Sequence, residues 1–238
     1  MVNSENSAWA VIPARGGSKG IKKKNIKNLG GEPLIAWAIK SLKESKVFEK
    51  IIVTSDDDEI LDIASSYDID TYKRSLNDED SNDFTMPDIP VHTCISSYKK
   101  SQLPRFLFMI QCTSPFVDPK SYRSAYMKLT ELKNSTVFSV KNSHSFIWID
   151  KNKAGGVVNP LGHPFDQRLG RQYLPDQQYT ETGGFYGFPL DLFMSSKHRF
   201  INSAFPIVVS DLEALDLDTY DDWKLAEYYV NIGNKDEN

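Results

Sequence analysis

Three glycines, a serine hydroxyl and two cations fall within Ile12-Pro13-Ala14-Arg15-Gly16-Gly17-Ser18-Lys19-Gly20-Ile21. Glycine backbone can curl closely around phosphate oxygens and present N–H donors, while Arg15 and Lys19 offset the charge of a polyanion. Candidate nucleotide contacts therefore run through Ala14, Gly16, Gly17 and Ser18. The GxxxxGK[ST] and GxGxxG spacings are absent, which excludes the P-loop and the dinucleotide fingerprint. A surface turn with solvated lysines is the competing reading. The apolar strand before the loop, and Lys22, Lys23, Lys24 and Lys27 after it, favour a phosphate cradle.

Leu215-Asp216-Leu217-Asp218-Thr219 precedes the last helical segment. In extended chain, residues two apart point the same way, so Asp216 and Asp218 could face one magnesium ion. Asp218 or Thr219 could equally cap the helix, a contribution of about 1 kcal/mol. Capping leaves Asp216 unexplained, and that tips the reading toward metal. Gln111-Cys112-Thr113-Ser114-Pro115 leaves a strand at its carboxyl end, where open α/β sheets bind ligands, and Gln111 can pair with a base or a sugar amide. An ordinary polar turn would read the same way. Arg168 and Arg171 lie among Tyr173, Tyr179, Phe185 and Tyr186; a guanidinium beside aromatic walls suits an acidic sugar, although surface arginines are common.

Other groups are set aside. His92, His144, His163 and His198 lack metal spacing. Asp56-Asp57-Asp58-Glu59 reads as a helix start whose charges favour the N-terminal dipole. Ser18 and Ser114 have no hydrolase context, and GxSxG does not occur.

The elements that must hold these residues alternate between strand and helix, which predicts an α/β layered fold. Strands are predicted at Ala8–Ile12, Ile51–Val53, Asp70–Lys73, Phe106–Ile110, Thr136–Val140, Gly184–Phe188 and Pro206–Ser210. Helices are expected from Pro33, over Glu59–Tyr67 and Asp88–Lys100, from Asp118-Pro119 to Leu132, near Leu190–Ser195, and from Thr219 to about Ile232. From about 141 to 182 the rhythm breaks, and Gly, Pro, Asn, Gln and aromatics predict an insertion of hairpins within a single domain.

A chain of 238 residues with 28 basic and 32 acidic side chains, net −4, has no basic excess for nucleic acid. A basic loop on an acidic protein suits a small anion instead. Cys94 and Cys112 read as half-buried core positions, which suggests a reducing compartment. The first apolar run is short for a signal peptide and no stretch spans a bilayer, so a cytosolic location is expected.

Taken together, Ile12–Asn25, Ile51–Asp56, Gln111–Pro115, Arg171–Pro175 and Leu215–Thr219 resemble the CMP-N-acylneuraminate cytidylyltransferases, in order and over essentially the whole chain. The first loop is the most specific match. The resemblance implies a three-layer αβα nucleotidyltransferase fold and a homodimer whose insertion reaches the partner's site. It implies triphosphate binding by Arg15, Ser18 and Lys19, and phosphate and cytidine contacts from Lys24 and Asn25. It further implies a base contact from Arg74, sugar contacts from Gln111, Arg171 and Tyr186, and magnesium on Asp216 and Asp218. Departures cluster on the sugar side: Thr182-Gly183-Gly184 where Asn-Gly-Ala is common, Cys112 in place of proline, Val117 in place of arginine. Lys141 does not align convincingly with the family's lysine.

The reaction this implies is attack by the anomeric hydroxyl of an acidic nine-carbon sugar on the α-phosphorus of CTP, with loss of pyrophosphate. Arg15, Lys19, Lys24 and Asp218 carry the catalytic roles, mostly positioning and charge neutralisation. An eight-carbon acid such as Kdo, or pseudaminic or legionaminic acid, stays open as substrate. A non-catalytic nucleotide binder stays open too, though it would have no use for two carboxylates.

Overall fold

The computed structural model describes residues 6–18, 20–75, 86–151, 155, 158–166, 170, 173 and 177–236. In chain order the elements are β1 (Ala8–Pro13), the small hairpin β2 (Asn28–Leu29) and β3 (Glu32–Pro33), α1 (Leu34–Ser45), β4 (Lys50–Ser55), α2 (Asp58–Ser65) and β5 (Asp70–Lys73). They continue with α3 (Asp88–Ser96), β6 (Phe106–Ile110), α4 (Pro119–Leu132), β7 (Thr136–Ser143), β8 (Ile147–Ile149), β9 (Asn159–Leu161), β10 (Gln178–Pro189), α5 (Leu190–Ser196), β11 (Ala204–Val208) and α6 (Tyr220–Asp236).

Seven strands form one sheet in the order β11-β7-β10-β6-β1-β4-β5. β5, β4, β1 and β6 are parallel, and β10 runs antiparallel between β6 and β7. Strands buried on both faces read as continuous apolar runs, which is why Ala8–Ile12 and Phe106–Ile110 are legible in the sequence. Their alternate residues divide between two cores. Ala8, Ala10, Ile12, Phe106, Phe108 and Ile110 pack with α1, α2 and α4, whereas Trp9, Val11, Leu107 and Met109 pack with α3 and α5. The result is the three-layer αβα arrangement the sequence predicts.

A third apolar cluster lies at the carboxyl ends of the strands. Ile21, Leu29, Leu34, Leu217, Trp223, Ala226 and Val230 bury together, and the ammonium of Lys27 sits 3.7 Å from the Trp223 ring centre. This cluster ties the segment after β1 to the Leu215–Thr219 strip and to α6. It thereby brings residues from the two ends of the chain into one place.

Some boundaries differ from the sequence reading. α3 ends at Ser96 rather than Lys100, because Lys100–Gln102 forms a separate 3-10 turn. β11 starts and ends two residues earlier than the predicted Pro206–Ser210. The expected insertion begins and ends inside main-sheet strands: β7 continues to Ser143 and β10 already starts at Gln178. Between them, β8 and β9 form a two-stranded antiparallel hairpin, as a hairpin insertion requires. Both cysteines are free and fully buried rather than half-buried.

Candidate functional site

β1 and β6 are neighbours, yet the chain runs from β1 to β4 toward one edge of the sheet and from β6 to β7 toward the other. Such a switch point is where α/β sheets take ligands. Three connections meet there: the glycine loop after β1, Ser55–Asp57 after β4 and Gln111–Ser114 after β6.

The glycine loop is braced from both sides. Ala14 N–H donates to Thr54 O at 2.9 Å, and Gly16 N–H donates to Asp56 Oδ1 at 3.0 Å. Ser18 N–H turns back to Gly16 O at 3.2 Å. Gly17 stays open, with nothing within 4 Å of where a Cβ would stand. Buried Asn25 donates to the Arg15 carbonyl at 2.8 Å and accepts from the Cys112 thiol at 3.3 Å. Arg74 is only 4% exposed; its guanidinium bridges Ala14 O at 3.2 Å and Asp56 Oδ1 at 3.4 Å. In this structure Gly16 and Arg74 thus build the loop, with Gly16's N–H already engaged by Asp56.

Asp56 is the residue that sequence reasoning missed. In the acidic run it is Asp57 that caps α2, accepting from Glu59 N at 2.9 Å, with Asp58 and Glu59 in the first turn. Asp56 instead faces the glycine loop. Its place at the carboxyl end of a buried strand was the available signal.

The lysines after the loop separate into different roles. Lys23 pairs with Glu59 and Lys27 covers Trp223, so neither joins a common phosphate patch. Lys24 Nζ lies 3.0 Å from Asp218 Oδ1, linking residues 194 positions apart. Lys19, Arg168 and Arg171 lie outside the described residues.

The cap of α6 is made by Thr219 and Asp222 rather than by the Asp218 side chain. The Thr219 N–H and hydroxyl both donate to Asp222 Oδ2, at 2.8 and 2.7 Å, and Asp222 N–H donates to Thr219 Oγ1 at 3.2 Å. This reciprocal box caps α6 and leaves the Asp218 side chain to Lys24. The strip itself is held by Leu217 N–H donating to Thr113 O at 2.9 Å.

Asp216, close enough to Asp218 and Lys24 to feel both charges, lines a cavity of about 470 Å³ together with Gln111, Lys141, Thr182, Gly183 and Tyr186, among others. Its Oδ1 is buried without a hydrogen-bond partner. Burial holds its carboxyl above the ordinary aspartate range; a hydrogen bond from Thr113 and the charge of Lys24 oppose the shift, and nearby Asp218 reinforces it. A buried oxygen left without a donor costs stability, and a bound cation would satisfy Oδ1 while Thr113 serves the same carboxylate. No group of three or more ligating side chains occurs among the described residues. Magnesium does not need one, since it takes one or two carboxylates and fills its octahedron with phosphate oxygens and water. Asp216 and Asp218 fit that demand.

Gln111 and Lys141 line the cavity beside Asp216. Tyr186, expected as an aromatic wall, lines the cavity while only 2% exposed; its ring packs in the core and its hydroxyl donates to Glu181. Lys141, which the sequence left unplaced, stands near Asp211 at 3.8 Å.

Residues 9–154 match the family model described as cytidylyltransferase. The chain is 30% identical over 227 residues to "N-acylneuraminate cytidylyltransferase A" of Danio rerio, covering 93% of this chain and 50% of that protein. The chain therefore spans about half the length of that relative. It is 30% identical over 233 residues to "CMP-N,N'-diacetyllegionaminic acid synthase" of Legionella pneumophila, covering 95% of this chain and 97% of the relative. Among solved structures, that of CMP:2-keto-3-deoxy-manno-octonic acid synthetase complexed with CTP superposes with a TM-score of 0.68 at 11% identity, over 95% of this chain and 99% of the other.

Proposed function

Since the chain belongs to the cytidylyltransferase family, we propose that it transfers CMP from CTP to an acidic nine-carbon 2-keto sugar, a sialic acid or related nonulosonate, releasing pyrophosphate. One observation carries the reading: Asp216 and Asp218 lie between a glycine loop after β1 and a polar cavity headed by Gln111. In that arrangement the triphosphate lies along Gly17 and Ser18, with Arg15, Lys19 and Lys24 offsetting its charge, and the cytosine rests near Asn25 and Arg74. The acid occupies the cavity, with Gln111 orienting it and Arg171 from the insertion reading its carboxylate.

Phosphoryl-type transfer asks the protein mainly for positioning and charge neutralisation. Lys24 sits where it can swing from Asp218 to phosphate oxygens. Gln111 fixes the anomeric hydroxyl in line with the α-phosphorus, on the side away from the departing pyrophosphate. Magnesium, held by Asp216 and Asp218 together with phosphate oxygens, would supply Lewis-acid stabilisation of the charge.

Calorimetry in magnesium buffer checks the nucleotide. CTP is expected to bind at least about tenfold more tightly than ATP or GTP, because a buried polar base site rejects the wrong hydrogen-bonding edge. Equal affinity for a purine triphosphate contradicts it.

The chain is also proposed to work as a homodimer in the cytosol. Trp148, Leu161, Phe165 and Tyr173 in the insertion are exposed, and a partner subunit would cover them; the two buried cysteines are free. No described helix is long and apolar enough to cross a membrane. Light scattering at micromolar concentration should return twice the 27.0 kDa chain mass. A monomer with full activity overturns the dimer.

A further inference from the structure

A chain of side chains runs from behind the sheet into the sugar cavity. Asp88, at the start of α3, is 1% exposed and accepts from Arg199 N–H at 2.8 Å and from Arg199 Nε at 3.2 and 3.1 Å to its two oxygens. The Arg199 side chain is itself mostly buried, and the two form a close ion pair. Thr136, fully buried, secures the same loop by donating to Arg199 O at 2.7 Å and accepting from Ile201 N at 2.9 Å. With its position fixed at backbone and side chain, the guanidinium lies 4.6 Å from the Tyr186 ring centre. Phe200 closes the ring's other approach edge-on, with centroids 5.8 Å apart. Tyr186 is thus gripped on its face and edge, and its hydroxyl donates to Glu181 Oε1.

Nothing in the transfer described above uses Arg199, Asp88 or Glu181. A buried ion pair is rarely a net source of stability, so this pair is read for what it positions. Here the pair presents a cation to the face of one ring, and that ring orients one carboxylate at the cavity wall. Burial, and then the bond to Glu181, hold the Tyr186 hydroxyl above the ordinary tyrosine range, so it remains a donor across the working pH.

We infer that Arg199 is a positioning residue, acting through Tyr186 to hold Glu181 as a fixed acceptor for the sugar, and that the sugar offers a hydroxyl or amide N–H there. The inference rests on the proposed acid-sugar reading of the cavity and sharpens it. A carboxylate repels the sugar's own acid group, so Glu181 must read a different part of the molecule. Bonds from a neutral donor to a charged acceptor are among the stronger ones, and they lose worth when the acceptor can rotate.

The test is steady-state kinetics of the full chain with CTP and a panel of N-acetylneuraminic, legionaminic, pseudaminic and Kdo acids. With the acid that the wild type uses best, Tyr186→Phe is expected to raise the sugar KM about five- to tenfold and leave the CTP KM within about twofold. Because it keeps the Asp88–Arg199 pair, this variant should fold even if Arg199→Gln, which strands Asp88, does not. In a Glu181→Gln background the same Tyr186→Phe change should add less than about twofold, since coupled residues are not additive. Arg199→Lys keeps a cation but not the fork to Asp88 and should fall between wild type and Tyr186→Phe. Unchanged sugar kinetics in Tyr186→Phe, equal losses for CTP and sugar, or full additivity with Glu181→Gln each overturn the inference alone. A wild type that transfers CMP to none of the four acids overturns the acid-sugar reading and the inference with it.

Discussion

Asp218→Asn is expected to fold normally and to turn over about a hundredfold more slowly or worse, on the scale of losing one group that stabilises the transition state. The structure separates this outcome from helix capping. Thr219 and Asp222 satisfy the first N–H groups of α6, and the Asp218 carboxylate meets Lys24 instead. The Asp218 side chain is 73% exposed, so its ion pair contributes little to stability and its removal should hardly move the melting temperature. Asp222→Ala is the matched control. It removes the reciprocal cap, should cost about 1 kcal/mol of stability, and should leave kcat close to wild type. Normal turnover in Asp218→Asn with a lower melting temperature would return Asp218 to a structural role.

Gly183→Ala is expected to raise the sugar KM about twentyfold or more and to destabilise the chain by roughly 1–2 kcal/mol. Gly183 has φ of 76°, in the left-handed region, and a Cβ there would stand 2.8 Å from Gln111 Oε1. The amide must then leave its place at the carboxyl end of β6, while Asp216 Oδ2, 4.0 Å from the same Cβ, is barely disturbed. Sugar binding should therefore suffer more than CTP binding. Kinetics for both substrates, read beside thermal melts, check this. A variant that only melts earlier, with an unchanged sugar KM, would show that Gln111 does not hold the sugar.

The layered core was legible because its strands are apolar on both faces and its helices carry local signals. Asp118-Pro119 starts α4 as read: the Asp118 side chain accepts from Lys120 N at 2.7 Å. β10 was only half legible. Gln178–Thr182 is polar and mostly exposed, so the predicted strand begins at Gly184, inside the register shift between Glu181 and Tyr186. The strand order was not legible, since no local pattern says that β10 inserts between β6 and β7.

The site divides in the same way. The glycine loop and the strand-exit positions announce themselves by residue type and place. Partners distant in sequence do not: Lys24 and Asp218, Gly16 and Asp56, and Asp88 and Arg199 meet only because the sheet and the third apolar cluster bring their loops together. The cap at Thr219 did leave a local trace. An acidic residue three positions after a threonine is the capping-box spacing, and reading Asp222 that way would have released Asp218 from the helix. Six cations in a short stretch looked like one anion patch; the fold assigns Lys23 to Glu59 and Lys27 to Trp223.

Pyrophosphate release from CTP, measured with magnesium and each of N-acetylneuraminic, legionaminic, pseudaminic and Kdo acids in turn, tests the central claim most directly. The expected result is release that depends on CTP together with at least one nine-carbon acid, with matching formation of the CMP-sugar, and that is far weaker with Kdo. Release with Kdo alone would move the substrate to the eight-carbon acids. No release with any acid, from protein that binds CTP, would contradict the assignment of this crevice to CMP transfer.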